Sequence, residues 1–284
     1  MTLPVNRRYL ANAIGISLLW LCGILTVVIL LLITLYIIWN GIGQISWDFL
    51  TTAPVHAGRE GGIFPTVVAT LYITVIALLV AAPLSIGGAI YMAEYAGESR
   101  VTQLVRFGAD SLAGIPSIMI GLFGYLLFVS YLNFGFSLLS GSLAVAFMAL
   151  PIILRVSEEA IKVVPEPYKH GSLALGSTKW QMIRKVVLPT ALPGILTGIM
   201  LGMGRIIGET AVFLLTVGGV AQIPTSLADP VRPMTLHTFI VATQNISLPK
   251  AFGTATVLLI IVLAITITSN LVTQRYVRKM GGRR

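Results

Sequence analysis

The sequence predicts an all-α membrane protein with six transmembrane helices. Of its 284 residues, 56% are hydrophobic and 10% are charged, which sets it apart from soluble globular domains. A spanning helix needs about 20 apolar residues. Stretches without Asp, Glu, Lys or Arg occupy residues 9–47, 61–93, 111–154 and 251–274. The third is long enough for two spans with a turn at 133–141, and residues 190–217, interrupted only by Arg205 and Glu209, supply the sixth.

The first two spans are predicted at residues 10–39 and 63–92. The first exceeds the length that the bilayer requires, so it can tilt or protrude. With the external segment 40–62 it forms a region, 1–62, that precedes a core of five spans in 63–284. The second span carries Thr66, Thr70 and Thr74 at a four-residue period along one face. These hydroxyls either line a polar path or bond back to carbonyls of their own helix.

The remaining spans differ in what they carry. Span three holds Ser117, Gly121 and Gly124 on neighbouring turns, and small residues let helices approach closely. Before it, an amphipathic stretch at 98–108 is expected on the cytoplasmic face, lying on the lipid or against a partner. An external loop at 218–250, long enough for a short helix at 234–244, precedes span six at 252–272.

The distribution of basic residues predicts the topology. With the N-terminus inside, fifteen Lys and Arg residues fall in cytoplasmic segments and three, Arg59, Arg232 and Lys250, in external ones. This positive-inside asymmetry places both termini in the cytoplasm. The formal charge of +9 is therefore a topology signal, and nucleic-acid binding is not expected because no soluble basic face is present. One cysteine and three separated histidines predict neither a disulfide nor a metal centre, so no cofactor is expected.

The longest polar segment, residues 155–189, is predicted to be a bent cytoplasmic loop. Pro165 and Pro167 prevent a continuous helix because each lacks an N–H and biases the preceding residue toward an extended backbone. A short helix is predicted at 168–175, ended by Gly176 as a left-handed cap. Thr178 and Gln181 then have the spacing of a capping box.

Span five carries the only charged residues expected within the membrane. Arg205 and Glu209 are four residues apart and are therefore expected on one helix face. Counting about 1.5 Å per residue from Thr190 places Arg205 roughly 22 Å into the span, where an ionised side chain costs about 2.5 to 3.5 kcal/mol. The pair either joins helices or forms an anion station, since a guanidinium matches phosphate or carboxylate oxygens in two parallel bonds. Glycines 194, 198 and 202, and 204 and 208, predict close helix contacts.

The sequence does not predict an enzyme. The segment GMGRIIG (202–208) approaches a dinucleotide fingerprint, but its last spacing is one residue too long and no strand precedes it. A P-loop motif is absent from the 284 residues, and no nucleophile, base and oxyanion-hole set can be assembled. Energy for transport must therefore come from another subunit or from an ion gradient.

The polar loop and three membrane segments together carry a family resemblance. Gly176, nine residues, Val186, one residue, and Leu188-Pro189 resemble the cytoplasmic signature loop of ABC-importer permeases, although the Glu-Ala-Ala positions of that pattern are occupied here by His170, Gly171 and Ser172. With GGIFPTVVATLYIT, GIPSIMIGLFGY and GRIIGETA, the chain from 61 to 217 looks like the phosphate-specific ABC-importer permeases, the A-type membrane subunits.

The resemblance implies the six-helix ABC type I importer permease fold in the bacterial inner membrane. It implies a second related permease, two ATPase subunits inside and a phosphate-binding protein outside. It also implies a substrate path with Arg205 and Glu209, to which Thr66, Thr70 and Ser117 are added as candidates. The expected ATPase-coupling residues are Pro167, Tyr168, His170, Gly171, Ser172, Leu175, Gly176, Leu188 and Pro189.

Other functions remain open from the sequence. A permease for sulfate or molybdate would share the signature loop. An ion-coupled secondary transporter would work without an ATPase partner. A sensory membrane protein is a third alternative, although no signalling domain is present in the sequence.

Overall fold

A computed structural model describes residues 5–97 and 99–281 of the chain. Arg283 and Arg284, counted among the cytoplasmic cations, and residue 98, where the amphipathic stretch begins, lie outside the described residues. The described part is helical apart from a two-stranded antiparallel ribbon. Its elements are α1 (Val5–Gly41), α2 (Trp47–Thr51), β1 (Pro54–Val55), β2 (Glu60–Gly61), α3 (Phe64–Ile90), α4 (Arg100–Gly114), α5 (Ser117–Gly124), α6 (Leu138–Lys162), α7 (Glu166–Ala174), α8 (Lys179–Met182), α9 (Leu188–Ile207), α10 (Ala211–Thr216), α11 (Met234–Thr243) and α12 (Leu248–Gly281).

Three helices contain or adjoin a π-helical segment, in which each turn holds more residues than an α-helical turn. Tyr91–Ala96 continues α3, Tyr125–Tyr131 continues α5, and Ile183–Val187 joins α8 to α9. Segments of this kind are rare and frequently lie at functional sites. Ile183–Val187 lies within the polar loop, and Glu94 of Tyr91–Ala96 contacts Lys169 of that loop.

Five helices are long and apolar enough to cross a membrane, and a bent pair supplies a sixth span. The five are Asn12–Gln44, Phe64–Ala96, Leu138–Lys162, Lys179–Ile207 and Leu248–Arg275. In the pair, α4 and the helix Ser117–Tyr131 meet at 104°. Residues 111–114, the start of the apolar stretch that holds span three, belong to α4. The bend follows from Pro116, before which Ile115 has ψ 132°, an extended value.

Span five also differs from its prediction. It begins at Lys179 and ends at Ile207, instead of extending from 190 to 217. Thr210 has φ −128°, which interrupts the helix before α10 begins as a separate element. The α10 helix packs against α5, where a Cβ on Gly121 would lie 3.0 Å from Val212 Cα.

The centre of the bundle is formed by α3, α6 and α9. Gly194 and Gly202 bring α9 against α6, since a Cβ there would lie 2.4 Å from Ala160 Cβ and 2.6 Å from Ile153 Cγ1 respectively. Gly198 faces Val156 in the same way. The first predicted glycine series therefore marks a helix contact. The second does not, because a Cβ on Gly204 would have nothing within 4 Å.

One end of the bundle, predicted to be the outer one, is closed by α11 and residues 40–62. Phe49, Ile63, Met234 and Val257 form a small buried cluster there. The first helix, α1, packs mainly on α12, with a Tyr36–Phe252 ring contact at 5.7 Å. Its apolar span is otherwise uncovered in this subunit. The division of the chain at residue 62 stays a prediction.

Candidate functional site

Arg205 lies in the last turn of α9 with its side chain exposed. Less than one turn before it, Gly202 contacts Ile153 and Ala149 of α6, which lie near the middle of the Leu138–Lys162 span. Arg205 is therefore level with the middle part of α6, and its depth in the membrane stays a prediction. Among the described residues Arg205 has no partner in a hydrogen bond or an ion pair.

Glu209 does not share a helix face with Arg205, so that prediction is wrong. The α9 helix ends at Ile207 and the chain turns, which buries Glu209 to 4% exposure. Its Oε1 accepts hydrogen bonds from the backbone N–H groups of Thr210, Ala211 and Val212 at 3.1, 2.9 and 3.2 Å. A carboxylate at a helix N-terminus is favourable. Glu209 therefore holds the break between α9 and α10.

Thr66 and Thr70 are buried inside the subunit. Their hydroxyls donate to the carbonyls of Ile63 and Thr66 at 2.7 and 2.8 Å, which is the back-bonding alternative considered for this stripe. Thr70 Oγ1 also accepts from the backbone N–H of Met234 at 2.9 Å. Both hydroxyls are thus engaged in fixing α3 and its contact with α11.

Ser117 lies at the start of α5 and is half-buried. Gly121 of α5 meets Ala211 and Val212, and Gly124 meets Thr216, so α5 and α10 are parallel neighbours. Ser117 is one turn before Gly121 and therefore lies on the same flank as the break that follows Arg205. The structure thus brings two interrupted helices side by side, with Ser117 and Glu209 at the interruptions.

The polar loop folds largely as predicted. Its helix α7 begins at Glu166, two residues earlier than expected, because Pro167 is tolerated in the first turn of a helix. Gly176 has φ +83°, the left-handed value that favours glycine. Thr178 and Gln181 form the predicted capping box. Most of the predicted coupling residues are exposed. The half-buried ones are Ser172 and, at the start of α9, Leu188 and Pro189. The exposed ones are Pro167, Tyr168, His170, Gly171, Leu175 and Gly176.

A buried ion pair beneath α7 was not found from the sequence. The Nζ atom of Lys169 lies 2.8 Å from Glu94 Oε1 and 3.0 Å from Glu166 Oε1. Burial alone would lower the pKa of Lys169, but the contacts with Glu94 and Glu166 outweigh it and raise the pKa above its ordinary value. Glu94 and Lys169 are far apart in the chain, so no short motif signals the pair; the only local sign is Glu166, one turn before the lysine.

A second ionic cluster fastens α4 to α6. Arg106 Nη2 and Lys162 Nζ lie 2.6 and 2.8 Å from Glu158 Oε1, and Arg155 pairs with Asp110. The apolar residues Val101, Leu104 and Phe107 of α4 remain exposed. Arg106 and Asp110 of α4 are thus bound within the subunit, and the apolar side of α4 is left for lipid or for another chain.

Known families and structures resemble the chain over most of its length. The family model of binding-protein-dependent transport system inner membrane components matches residues 85–282. The probable ABC transporter permease protein YqgI of Bacillus subtilis is 38% identical over 214 residues, which are 75% of this chain and 72% of the relative. The phosphate transport system permease protein PstA of Xylella fastidiosa is 31% identical over 264 residues, 92% of either chain. A solved bacterial ABC transporter involved in the import of the acidic polysaccharide alginate has a TM-score of 0.65 at 17% identity, covering 94% of this chain and 99% of that one.

Proposed function

Because the chain belongs to the family of binding-protein-dependent transport system inner membrane components, we propose that it is the membrane-spanning permease subunit of an ATP-driven importer of inorganic phosphate. Its partners are a second, related permease, two ATPase subunits on the cytoplasmic side and a phosphate-binding protein outside. The substrate assignment is supported by relatives named as phosphate transport permeases that match most of the chain. These names favour phosphate over sulfate or molybdate.

The observation that carries the proposal is the position of Arg205. At the depth predicted for Arg205 an ionised side chain costs about 2.5 to 3.5 kcal/mol, yet Arg205 is exposed on this subunit and lacks a partner among the described residues. Its compensation must therefore come from outside the subunit. In the complex it faces a path shared with the second permease, where the guanidinium receives the oxygens of an anion in two parallel bonds.

The other path candidates act around Arg205. Ser117 offers a hydroxyl at the N-terminus of α5, next to the break that follows Arg205. In membrane transporters the N-termini of interrupted helices commonly point at anionic substrate groups. Glu209, Thr66 and Thr70 contribute indirectly, because each is engaged in fixing the segments that surround the path.

Transport is driven through α7. Closure of the ATPase pair displaces the exposed surface that includes Tyr168, His170 and Leu175, and the core helices then expose the anion station to one side of the membrane or the other. Only a ligand with different affinities for the two states can couple these steps. The chain contributes no ATP site of its own. Both termini face the cytoplasm of a bacterial cell, which is supported by the asymmetry of the basic residues.

The test replaces Arg205 in the reconstituted complex. With Arg205→Ala, uptake of radiolabelled inorganic phosphate into proteoliposomes should fall at least about tenfold, since a charged hydrogen-bond partner contributes about 1.5–3 kcal/mol and the buried anion is left unpaired. The complex should still assemble. Arg184→Ala, which removes an exposed cation from the cytoplasmic loop, is the matched control. Normal uptake by Arg205→Ala would reject the anion station, and uptake that persists without ATPase subunits would reject the importer.

A further inference from the structure

The coupling helix α7 has one buried side chain, and that side chain is charged. Lys169 is 7% exposed, and it is the only buried residue of Glu166–Ala174. The apolar cluster beneath the loop is built from α3, α6, α8 and α9, including Ala89, Ile161 and Met182, and takes no residue from α7. The helix therefore adds no side chain to this apolar cluster, and its one buried side chain is the charged Lys169.

The partner of Lys169 lies on α3. Glu94, whose side chain is 5% exposed, places Oε1 2.8 Å from the lysine Nζ. Glu166, the second carboxylate, is on α7 itself and 64% exposed, so it cannot join α7 to another element. Breaking a buried ion pair by removing one partner is strongly unfavourable, because the other charge is left uncompensated. The pair thus resists separation of α7 from the inner end of α3.

A second contact reinforces the same position. Lys179, at the start of α8, lies with its Nζ 4.8 Å from the centre of the Tyr95 ring. Residues 94 and 95 are neighbours in the π-helical segment Tyr91–Ala96. Basic residues on both sides of the coupling turn therefore hold one short segment of α3.

The α3 helix extends from this segment to the outer side of the bundle. It packs extensively on α6, and near its outer end Thr70 accepts a hydrogen bond from Met234 of α11. A movement of Glu94 along or around the helix axis is therefore passed through the packed α3 helix to α11, which closes the outer end of the bundle.

We propose that the Lys169–Glu94 ion pair transmits the movement of α7 to α3, so that Lys169 is a positioning residue for transport. The inference rests on the proposed function, in which α7 is the surface on which the ATPase subunits act. Lys169 is on the buried side of that helix, so its role is distinct from that of the exposed coupling residues.

The test compares transport with ATP hydrolysis in the reconstituted complex. Lys169→Met should lower the amount of phosphate imported per ATP hydrolysed at least about fivefold, the lower end of typical coupling between sites, while the complex assembles and hydrolyses ATP. Lys185→Met, which removes an exposed lysine of the same loop, should leave the ratio unchanged. Glu94→Gln should reproduce the loss from the other partner. The exchange Glu94→Lys with Lys169→Glu should recover most of the ratio.

The ratios measured for these variants either support or overturn the role of the ion pair. A normal ratio for Lys169→Met or Glu94→Gln would overturn the proposal, as would a ratio that the exchanged pair leaves as low as the single variants do. If Lys169→Met fails to assemble, Glu94→Gln, which keeps the side-chain shape and lies outside α7, gives the answer. If the wild-type complex imports no phosphate, the proposed function fails instead. The ion pair is then tested by ATP hydrolysis alone: stimulation by the binding protein should be lost in Lys169→Met, and normal stimulation would overturn the role of the pair.

Discussion

Replacing Gly194 with alanine should force α9 away from α6. The added Cβ would lie 2.4 Å from Ala160 Cβ and 3.5 Å from Ala160 Cα. Carbon atoms pack at about 3.5–4.0 Å, so the helices must separate locally by about 1 Å. Alanine has no rotatable bond that could move the obstructing methyl aside. Overpacking of this kind costs about 1–3 kcal/mol, offset by at most about 1 kcal/mol from the better helix propensity of alanine.

The measurement is unfolding of the purified chain in mixed micelles by a denaturing detergent. Gly204→Ala is the matched control, because its Cβ would have nothing within 4 Å, and it should change the free energy of unfolding by no more than the propensity gain of about 1 kcal/mol. Adding Ala160→Gly to Gly194→Ala removes the clash and should recover most of the loss in a double-mutant cycle. Equal stability of Gly194→Ala and Gly204→Ala, or additive effects in the cycle, would refute the packing argument.

Three further predictions concern single interactions. Glu209→Ala should lower the free energy of unfolding by about 1–3 kcal/mol, because three N–H groups at the start of α10 lose their acceptor; an unchanged value would show that water replaces the carboxylate. Thr70→Val should lower the free energy of unfolding by a similar amount, since the Met234 N–H loses its acceptor. Thr74→Val is the control and should change stability less, because the Thr74 hydroxyl bonds only to the Thr70 carbonyl. Equal effects of the two substitutions would contradict a stabilising hydrogen bond between Met234 and Thr70. The raised pKa of Lys169 means that its stabilisation is complete below the ordinary lysine value of 10.5 and is lost as pH rises through the raised pKa. Thermal unfolding of Lys169→Met should therefore decline less with alkaline pH than that of the wild type, and identical profiles would exclude the pair as the cause.

The sequence predicted the elements whose signals are local. The six-helix importer permease fold is confirmed by the family match and the solved relative. In the polar loop, the prolines, the Gly176 cap and the capping box each depend on residues only a few positions apart, and all three appear in the structure. The first glycine series of span five also marked a real contact, whereas the second, with the same spacing, falls where α9 ends and marks none.

The errors arose where a turn interrupts an apolar run. Residues 111–114 and 211–216 are apolar enough to continue a span, but Pro116 and the Glu209 cap redirect the chain. The four-residue spacing of Arg205 and Glu209 assumed an unbroken helix, so their shared face was lost with it. The Lys169–Glu94 pair could not be predicted, because it joins residues far apart whose facing positions depend on tertiary packing. The roles of the path and coupling residues stay predictions.

The π-helical segment at the end of α3 makes an unusual tolerance possible. Its wide turn contains one residue more than an ordinary turn of the same height. Deleting one residue between Tyr91 and Glu94 should therefore convert the wide turn into an ordinary one, with little change in the length of the helix or in the direction of the Glu94 carboxylate. The same deletion in the α-helical part of α3 would instead rotate every following residue by about 100° around the axis.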